Sequence, residues 1–174
     1  MNVEKLVFID ETWASTNMTR GYGRALRGKR CLGSAPYGHW QTTTFVGALR
    51  HRQLSAPMVI EGPMDGEVFL AYVCTFLCPT LAPGDIVILD NLSSHKVDGV
   101  EEAILATRAS VLYLPPYSPD LNPIEKFFSK LKALLRKAAK RSREALWEEI
   151  GELLKSVSSS ECMNYFKSCG YVNI

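Results

Sequence analysis

The chain has 174 residues, of which 47% are hydrophobic and 22% are charged, and its net charge at pH 7 is +2. This composition is typical of one globular domain with a substantial core, and it excludes disordered, fibrous and small disulfide-built secreted proteins. No apolar run approaches the ~18 residues that a membrane span needs, and charged residues among the first ten argue against a signal peptide. We therefore expect a cytoplasmic protein without membrane contact.

The first half of the chain predicts three strands. Residues 5–9 contain a continuous apolar run, typical of a strand that is buried on both faces, and this run ends at Asp10. Residues 42–49 are rich in β-branched residues and predict a second strand, and residues 58–61 predict a third. The glycine-rich segment between the first two strands is expected to be a loop. Because no helix separates the three strands, we expect them to pair in antiparallel fashion.

The second half of the chain predicts helices that alternate with strands. Asp65 is a typical helix N-cap, and apolar residues at helical spacing follow it until Pro79. Residues 86–89 predict a buried strand that ends at Asp90. The remaining predicted elements are a helix at 97–107, a strand at 111–114, and two helices with N-caps at Asn122 and Ser142, whereas the pattern beyond residue 158 is poorly defined. Antiparallel strands followed by helical crossovers predict an α/β fold, with a mixed sheet flanked by helices.

The positive charge is concentrated in two segments of the chain. Residues 20–30 contain five basic residues and residues 126–143 contain eight, and neither segment contains an acid, whereas the rest of the chain has a net charge of −11. Two basic patches on an acidic body indicate a polyanionic partner such as nucleic acid, although solvated surfaces would have the same composition. The residues that we expect to contact DNA are Arg20, Arg24, Lys29, Arg30, Lys130, Lys132 and Arg136.

Two acids follow strongly apolar strands. In α/β sheets, ligands bind beyond the carboxyl ends of the strands, which makes Asp10 and Asp90 candidate site residues, although aspartate also ends strands because it favours turns. Glu125 is a candidate third acid, but its position three residues after the predicted N-cap also matches a capping box. Asp120 is a competing third acid. Glu11 should face the opposite side of the sheet from Asp10, which makes it a weak candidate.

Three carboxylates around one point repel each other unless cations neutralise them. All-oxygen ligands suit Mg²⁺ or Mn²⁺, and two such ions activate the attacking oxygen and stabilise the leaving oxygen of a phosphodiester. Together with the basic segments, the three acids therefore predict metal-dependent phosphodiester chemistry on nucleic acid. On the helix that follows Asn122, Glu125 shares a face with Lys132 and Arg136, so this face would follow the DNA away from the metal site.

Two sequence motifs resemble those of DDE transposases. They are residues 90–96, DNLSSHK, and residues 113–125, YLPPYSPDLNPIE, and they are similar to the mariner-like superfamily, particularly its bacterial insertion-sequence members. The 34 residues between Asp90 and Glu125 match the spacing of that group. The segments Ile9-Asp10-Glu11 and 42–49 fit the same pattern, so the resemblance covers about residues 5–140.

The resemblance implies a ribonuclease H-like fold and assigns roles to five residues. Asp10, Asp90 and Glu125 would form the catalytic triad and bind two Mg²⁺ or Mn²⁺ ions. Asn91 and His95 would lie close to the metal site, where they either orient a ligand or contact phosphate, or make a structural hydrogen bond.

For the whole chain, the resemblance implies a catalytic domain at residues 1–140 and a C-terminal helical extension at 141–174 packed on it. The implied activity is DNA transposition: metal-dependent strand cleavage at the ends of a mobile element, then strand transfer by attack of the exposed 3′-hydroxyl on target DNA. The implied partners are DNA at the element ends and in the target. We expect a homodimer or higher assembly that is associated with the nucleoid.

Relatives in this family carry an N-terminal helix-turn-helix region that reads the element ends. Here the first strand begins within five residues of Met1, so we expect this region to be missing from the chain. The chain would then be the second product of a split reading frame, with a separately encoded helix-turn-helix subunit as partner, or an excised catalytic domain, or a remnant of a decayed element. Two alternatives stay open on the same fold. One is a repair or recombination nuclease of the ribonuclease H-like class, and the other is a catalytically silent DNA-binding remnant of a transposase.

Overall fold

The computed structural model describes residues 2–172, in which five strands form one mixed sheet with helices on both faces. The strands are β1 (Leu6–Ser15), β2 (Thr42–Leu49), β3 (Leu54–Glu61), β4 (Ile86–Leu89) and β5 (Ser110–Tyr113). Their spatial order is β3-β2-β1-β4-β5. β2 pairs antiparallel with β1 and β3, whereas β4 pairs parallel with β1 and β5. The predicted mixed sheet is therefore confirmed.

The described residues contain five α-helices. They are α1 (Gly66–Tyr72), α2 (Val100–Ala106), α3 (Pro123–Ala138), α4 (Arg143–Lys155) and α5 (Ser159–Ser168). A π-helical turn at Val73–Leu77 continues α1, and 3₁₀ turns at Ser93–Lys96 and Pro119–Leu121 precede α2 and α3. The predicted caps of α1 and α4 are confirmed, because Asp65 Oδ1 and Ser142 Oγ accept hydrogen bonds from backbone N–H groups three residues later. No helix within residues 2–172 is long and apolar enough to cross a membrane.

Strand β1 is the centre of the sheet and contributes to two cores. Phe8 belongs to the core beneath α3, α4 and α5, whereas its neighbour Ile9 belongs to the core beneath α1 and α2. This alternation is a property of strands, because successive side chains face opposite sides of the sheet. It continues at the next two positions, where Asp10 contacts the N-cap residue of α3 and Glu11 contacts the turn before α2. The predicted separation of these two acids onto opposite faces is therefore observed.

Strand β1 is longer than the sequence pattern predicts. β2 pairs with it without interruption from Phe8 to Ser15, so the prediction that the strand ends at Asp10 is wrong. What changes at this position is the neighbour on the other side of β1, because the parallel pairing with β4 covers only Leu6 to Phe8. Phe8 pairs with Ile88 in that register, so its continuation brings Asp10 level with Asp90.

The C-terminal helix α5 lies where the sequence pattern is poorly defined. Ser158 caps it by accepting a hydrogen bond at 3.2 Å from the backbone N–H three residues later. Only Cys162 and Phe166 of this helix are buried, which is too sparse an apolar stripe for a clear helical signal. Phe166 packs edge-on against Phe8, with ring centroids 5.3 Å apart. Helices α4 and α5 thus share the core of β1 and α3, while the boundary at residue 140 stays a prediction.

Candidate active site

Three acids from distant parts of the chain line one pocket. Asp10 lies in β1, Asp90 directly follows β4, and Glu125 lies in the first turn of α3. They line a pocket of about 460 Å³, whose other wall is the proline-rich loop at residues 114–119. Asp120, the competing third acid, is exposed and is not part of the pocket lining. The fold therefore brings together the acids that the sequence singles out, at the carboxyl end of β4.

Asp10 is the most buried of the three acids, with 6% of its surface exposed. Burial, together with the negative charges of Glu125, Asp90 and Glu11, raises the pKa of Asp10 to about 8. In the part of the chain that the structure describes, no lysine, arginine or histidine forms an ion pair with this carboxylate. The described residues thus leave Asp10 beside other acids without a basic partner of its own.

Asn122 occupies the N-cap position of α3, but its side chain does not cap the helix. Its Nδ2 group instead donates a hydrogen bond to Asp10 Oδ2 at 2.8 Å. The capping-box alternative for Glu125 is also wrong, because the Asn122 backbone N–H donates to the carbonyl of Pro119 at 3.2 Å. The Glu125 side chain is exposed and lines the pocket, so it is available to a ligand. Sequence analysis missed the contact of Asn122 with Asp10.

His95 connects Asp90 to Glu11. It is fully buried and stacks on Phe69, with ring centroids 4.2 Å apart. Its Nε2 atom is hydrogen-bonded to Glu11 Oε2 at 2.8 Å, and its Nδ1 atom lies 2.5 Å from Asp90 Oδ1, at an angle outside hydrogen-bond geometry. Although burial lowers the pKa of His95, Asp90 and Glu11 outweigh it and raise this pKa to about 9. The structure thus has His95 beside Asp90, close to the candidate metal site as predicted. Glu11 belongs to the same cluster.

Asn91 is the other residue predicted to lie near the metal site. It lines the pocket beside Asp90, and its side-chain oxygen accepts a hydrogen bond from the Lys96 ammonium. The contact is with an exposed lysine rather than with one of the three acids. A role for Asn91 in orienting a metal ligand therefore stays a prediction.

A second pocket, of about 540 Å³, adjoins the first on the other side of Glu125. Lys132 and Trp13 also line it, and the Lys132 ammonium lies 4.7 Å from the centroid of the exposed Trp13 ring. Burial and the charge of Arg136 lower the pKa of Lys132, while Glu125 and Asp10 oppose this shift. Glu125 and Lys132 thus lie on one side of α3, as the helical spacing predicts.

The other residues predicted to contact DNA have different surroundings. Lys130 forms an ion pair with Glu161 of α5, with Nζ and Oε1 2.6 Å apart, so part of its charge is engaged within the fold. The basic residues of the first segment are exposed in residues 17–41, which contain no helix or strand, and they are Arg20, Arg24, Lys29 and Arg30. Arg141 fixes the start of this segment by donating to the carbonyls of Thr16 and Met18. The DNA contacts themselves stay predictions.

The donor set of the first pocket fits a hard divalent cation. Its three acids and Asn122 offer oxygen atoms, which Mg²⁺ and Mn²⁺ prefer, and burial together with the repulsion of neighbouring acids, which a cation would relieve, raises the pKa of Asp10. Within residues 2–172, no three histidine, cysteine or acidic side chains already converge as a metal cluster. The acids therefore face one pocket without meeting at one point.

Comparison with known proteins decides the family. The sequence model of the DDE superfamily endonucleases matches residues 5–147. The chain belongs to this superfamily. The match includes β1, β4 and the start of α3, which carry the three acids of the pocket. No curated protein sequence matches the chain.

Solved structures of Mos1 mariner transposase have the same fold as this DDE domain. The Mos1 paired-end complex with the left transposon end aligns with a TM-score of 0.80 and 18% identity, and the paired-end complex with Mg with 0.81 and 18%. Both alignments cover 97% of this chain and 53% of the Mos1 chain, so this chain spans about half the length of that relative. The Mos1 catalytic domain aligns with a TM-score of 0.73 and 14% identity, covering 97% of this chain and 78% of the other. The predicted ribonuclease H-like fold is confirmed.

Proposed function

We propose that this DDE domain cleaves DNA strands at the ends of a mobile element and transfers them to target DNA, in a reaction that depends on Mg²⁺ or Mn²⁺. The observation that carries this proposal is the shared pocket of Asp10, Asp90 and Glu125, in which the buried Asp10 has acidic neighbours and no ion-pair partner among the described residues. Two bound ions would activate the attacking oxygen and stabilise the leaving oxygen of a phosphodiester. The strand transfer step, the number of ions and the three ligands are parts of the proposal.

The protein's own residues have distinct tasks in this scheme. Asp10, Asp90 and Glu125 hold the ions through their carboxylates. His95 and Glu11 fix the orientation of Asp90, because buried partners limit the rotation of a ligand. The loop at residues 114–119 closes one side of the pocket and limits the access of water to the reacting phosphate.

DNA would run from the first pocket across Glu125 to the second pocket. Lys132 and Arg136 would contact its phosphates there, and the exposed basic residues of segment 17–41 would contact a neighbouring stretch. The names of the Mos1 structures describe a paired-end complex with the left transposon end, paired-end complexes with Mn or Mg, and a strand transfer complex. By analogy we propose that a dimer or higher assembly holds the element ends, and that a helix-turn-helix region outside these 174 residues recognises them.

The catalytic proposal is tested with purified protein, labelled DNA and Mn²⁺. The native chain should nick DNA and join a pre-cut 3′-hydroxyl end to a second duplex, whereas Asp90→Ala and Glu125→Gln should lose at least about 100-fold in rate, because each removes a metal ligand. Asp120→Asn is the matched control: it removes an exposed carboxylate of the 3₁₀ turn that precedes α3 and should leave the rate unchanged. Native rates in Asp90→Ala, or without divalent ions, would contradict the proposal.

The same assay separates the alternatives. Cleavage with a preference for branched junctions, and no joining of a pre-cut end, would favour a repair or recombination nuclease. DNA binding without any metal-dependent step would favour a silent remnant.

The proposed DNA path is tested by binding at several salt concentrations. Lys132→Ala with Arg136→Ala should weaken binding to unrelated sequences by similar factors and reduce the salt slope by up to about 2, because each lost phosphate contact removes about one unit. Lys155→Ala with Lys167→Ala is a control of equal charge on α4 and α5. Equal effects of the two pairs would indicate that only net charge matters, and would contradict the α3 path.

A further inference from the structure

Asn122 is a buried polar residue whose side chain does not cap the helix that follows it. Only 3% of its surface is exposed. Its Nδ2 group donates to Asp10 Oδ2, while its Oδ1 atom has no hydrogen-bond partner in residues 2–172. A buried acceptor without a partner is destabilising, so an asparagine at this position is not the best choice for stability alone. This cost points to a role in the pocket that the residue lines.

The contact with Asn122 completes the fixation of Asp10. The Glu11 backbone N–H donates to Asp10 Oδ1 at 2.8 Å, and Asn122 Nδ2 donates to Oδ2 at the same distance. With one donor on each oxygen, the plane of the carboxylate cannot rotate without breaking a hydrogen bond. Each oxygen keeps a second lone pair, which stays available to a cation.

The same contact links two acids of the pocket. Asn122 lies three residues before Glu125, at the start of α3, so its bond to Asp10 ties the first turn of this helix to the centre of β1. The bond spans 112 residues of sequence, and it fixes the relative positions of the elements that carry Asp10 and Glu125. Correct spacing of ligands is a large part of metal affinity.

The backbone of this turn has other supports, so the amide is not needed to hold it. The Asn122 N–H donates to Pro119, and the Tyr171 hydroxyl donates to the carbonyl of Leu121 at 2.8 Å. Pro123 at the first position of α3 restricts the backbone further. Removal of the Asn122 side chain should therefore leave the fold and the backbone of this turn largely intact, while Asp10 loses one of its two hydrogen bonds and its direct link to the start of α3.

We infer that Asn122 is a positioning residue for metal binding: it orients Asp10 and sets its place relative to Glu125. This inference rests on the proposed metal-dependent function. It distinguishes Asn122 from an ordinary helix cap, whose loss would reduce stability and leave the affinity for a cation unchanged.

The test compares Mn²⁺ affinity with stability in the full chain. Free Mn²⁺ is titrated by electron paramagnetic resonance for the native protein, for Asn122→Ala and for Asn122→Leu, which is close to asparagine in size. The dissociation constant for Mn²⁺ should rise about 10-fold or more in both variants, the range found when a residue that orients a metal ligand is removed. Urea unfolding in EDTA should give midpoints at or near the native one, because both changes also remove the unpartnered Oδ1.

Ser142→Ala is the matched control, since it removes a true helix cap on α4 away from the pocket. It should lower the urea midpoint and keep the native Mn²⁺ affinity. Native affinity in both Asn122 variants would overturn the inference but not the proposed function. Failure of both variants to fold would make the amide structural and would also overturn the inference. No Mn²⁺ binding by the native chain would overturn the metal-dependent function and this inference together.

Discussion

Two buried aspartates, Asp85 and Asp10, lie level with opposite ends of strand β4 and have opposite surroundings. Asp85 precedes β4 and is 2% exposed; Arg50 Nη2 lies 2.7 Å from its Oδ2 and Lys5 Nζ lies 3.6 Å from its Oδ1. The backbone N–H of Ala82 also donates to it, at 2.9 Å. Asp10 is buried to a similar degree but is surrounded by other carboxylates.

The pKa values of these two aspartates move in opposite directions. Burial alone would raise both values, but Arg50, Ala82 and Lys5 outweigh it at Asp85 and lower its pKa. At Asp10, burial and the neighbouring acids act together, and the pKa rises to about 8. One carboxylate is thus neutralised within the fold, whereas the other keeps an incomplete environment that an external cation would complete.

The largest expected effect is that of removing Asp85, the aspartate that is neutralised within the fold. Asp85→Ala should lower the free energy of unfolding by about 3 kcal/mol, because it leaves the half-buried Arg50 guanidinium without its partner. Urea unfolding in EDTA measures this change. A loss below about 1 kcal/mol would mean that the two aspartates contribute alike to the fold.

The second expected effect is an unusual pH dependence of the metal-free protein. The raised pKa of Asp10 stabilises the fold below its unfolded value of 3.8, and this contribution is lost as the pH rises toward about 8. The raised pKa of His95 acts in the same direction between 6.5 and about 9. Asp85 acts oppositely, since its contribution is present above 3.8 and is lost at lower pH.

Stability in EDTA should therefore be highest near pH 4–5 and should decrease toward pH 9, with each group contributing at most about 1.4 kcal/mol per pH unit. Unfolding free energies from pH 4.5 to 9 measure this profile. Asp10→Asn should flatten its lower part, and a flat native profile would contradict the charge assignment.

The third expected effect concerns Asp10, the aspartate that has no basic partner in the described fold. Asp10→Asn should stabilise the metal-free protein at pH 7 by about 1 kcal/mol, because it removes a buried acid that repels its neighbours. The same variant should lose most of the rise in melting temperature that Mn²⁺ gives the native chain, since a ligand stabilises only the state that binds it. Thermal unfolding with and without Mn²⁺ measures both. If Asp10→Asn were less stable than the native protein without metal and kept its Mn²⁺ response, Asp10 would stabilise the fold as Asp85 does and would not bind the cation.

The smallest expected effect is that of removing Lys5, the more exposed of the two basic residues beside Asp85. Lys5→Met should cost at most about 0.5 kcal/mol, because this side chain is 39% exposed and lies 3.6 Å from the carboxylate. The cost should decrease further in 0.5 M NaCl, which screens exposed charges. A salt-independent loss as large as that of Asp85→Ala would assign the neutralisation to Lys5 rather than to Arg50.

The sequence predicts the parts of this arrangement that local patterns encode. Continuous apolar runs identify the central strands, and the acids that follow them, Asp10 and Asp90, do meet in one pocket with Glu125. Asp65 and Ser142 cap their helices as the pattern indicates. These features depend on neighbours within a few residues along the chain, which is why periodicity and capping rules identify them.

The rest depends on contacts between distant residues. Strand β1 continues beyond Asp10 because β2 pairs with its second half, and no pattern of neighbouring residues predicts this pairing. The bond of Asn122 to Asp10 spans 112 residues, and a local reading assigns the same side chain to a helix cap. The ion pair of Arg50 with Asp85 spans 35 residues and joins the end of β2 to the start of β4.

The ion pair of Arg50 with Asp85 also has a consequence for the alignment of the sheet. Strand β4 has only four residues, with Asp85 immediately before it and Asp90 immediately after it. A slip of one residue along β1 would turn every side chain of β4 to the other face and would take Asp85 away from Arg50. The salt bridge therefore favours the observed register of β4 against β1. From about 17 Å away, the length of five residues of extended chain, this salt bridge determines which residue lies beside Asp10 at the pocket.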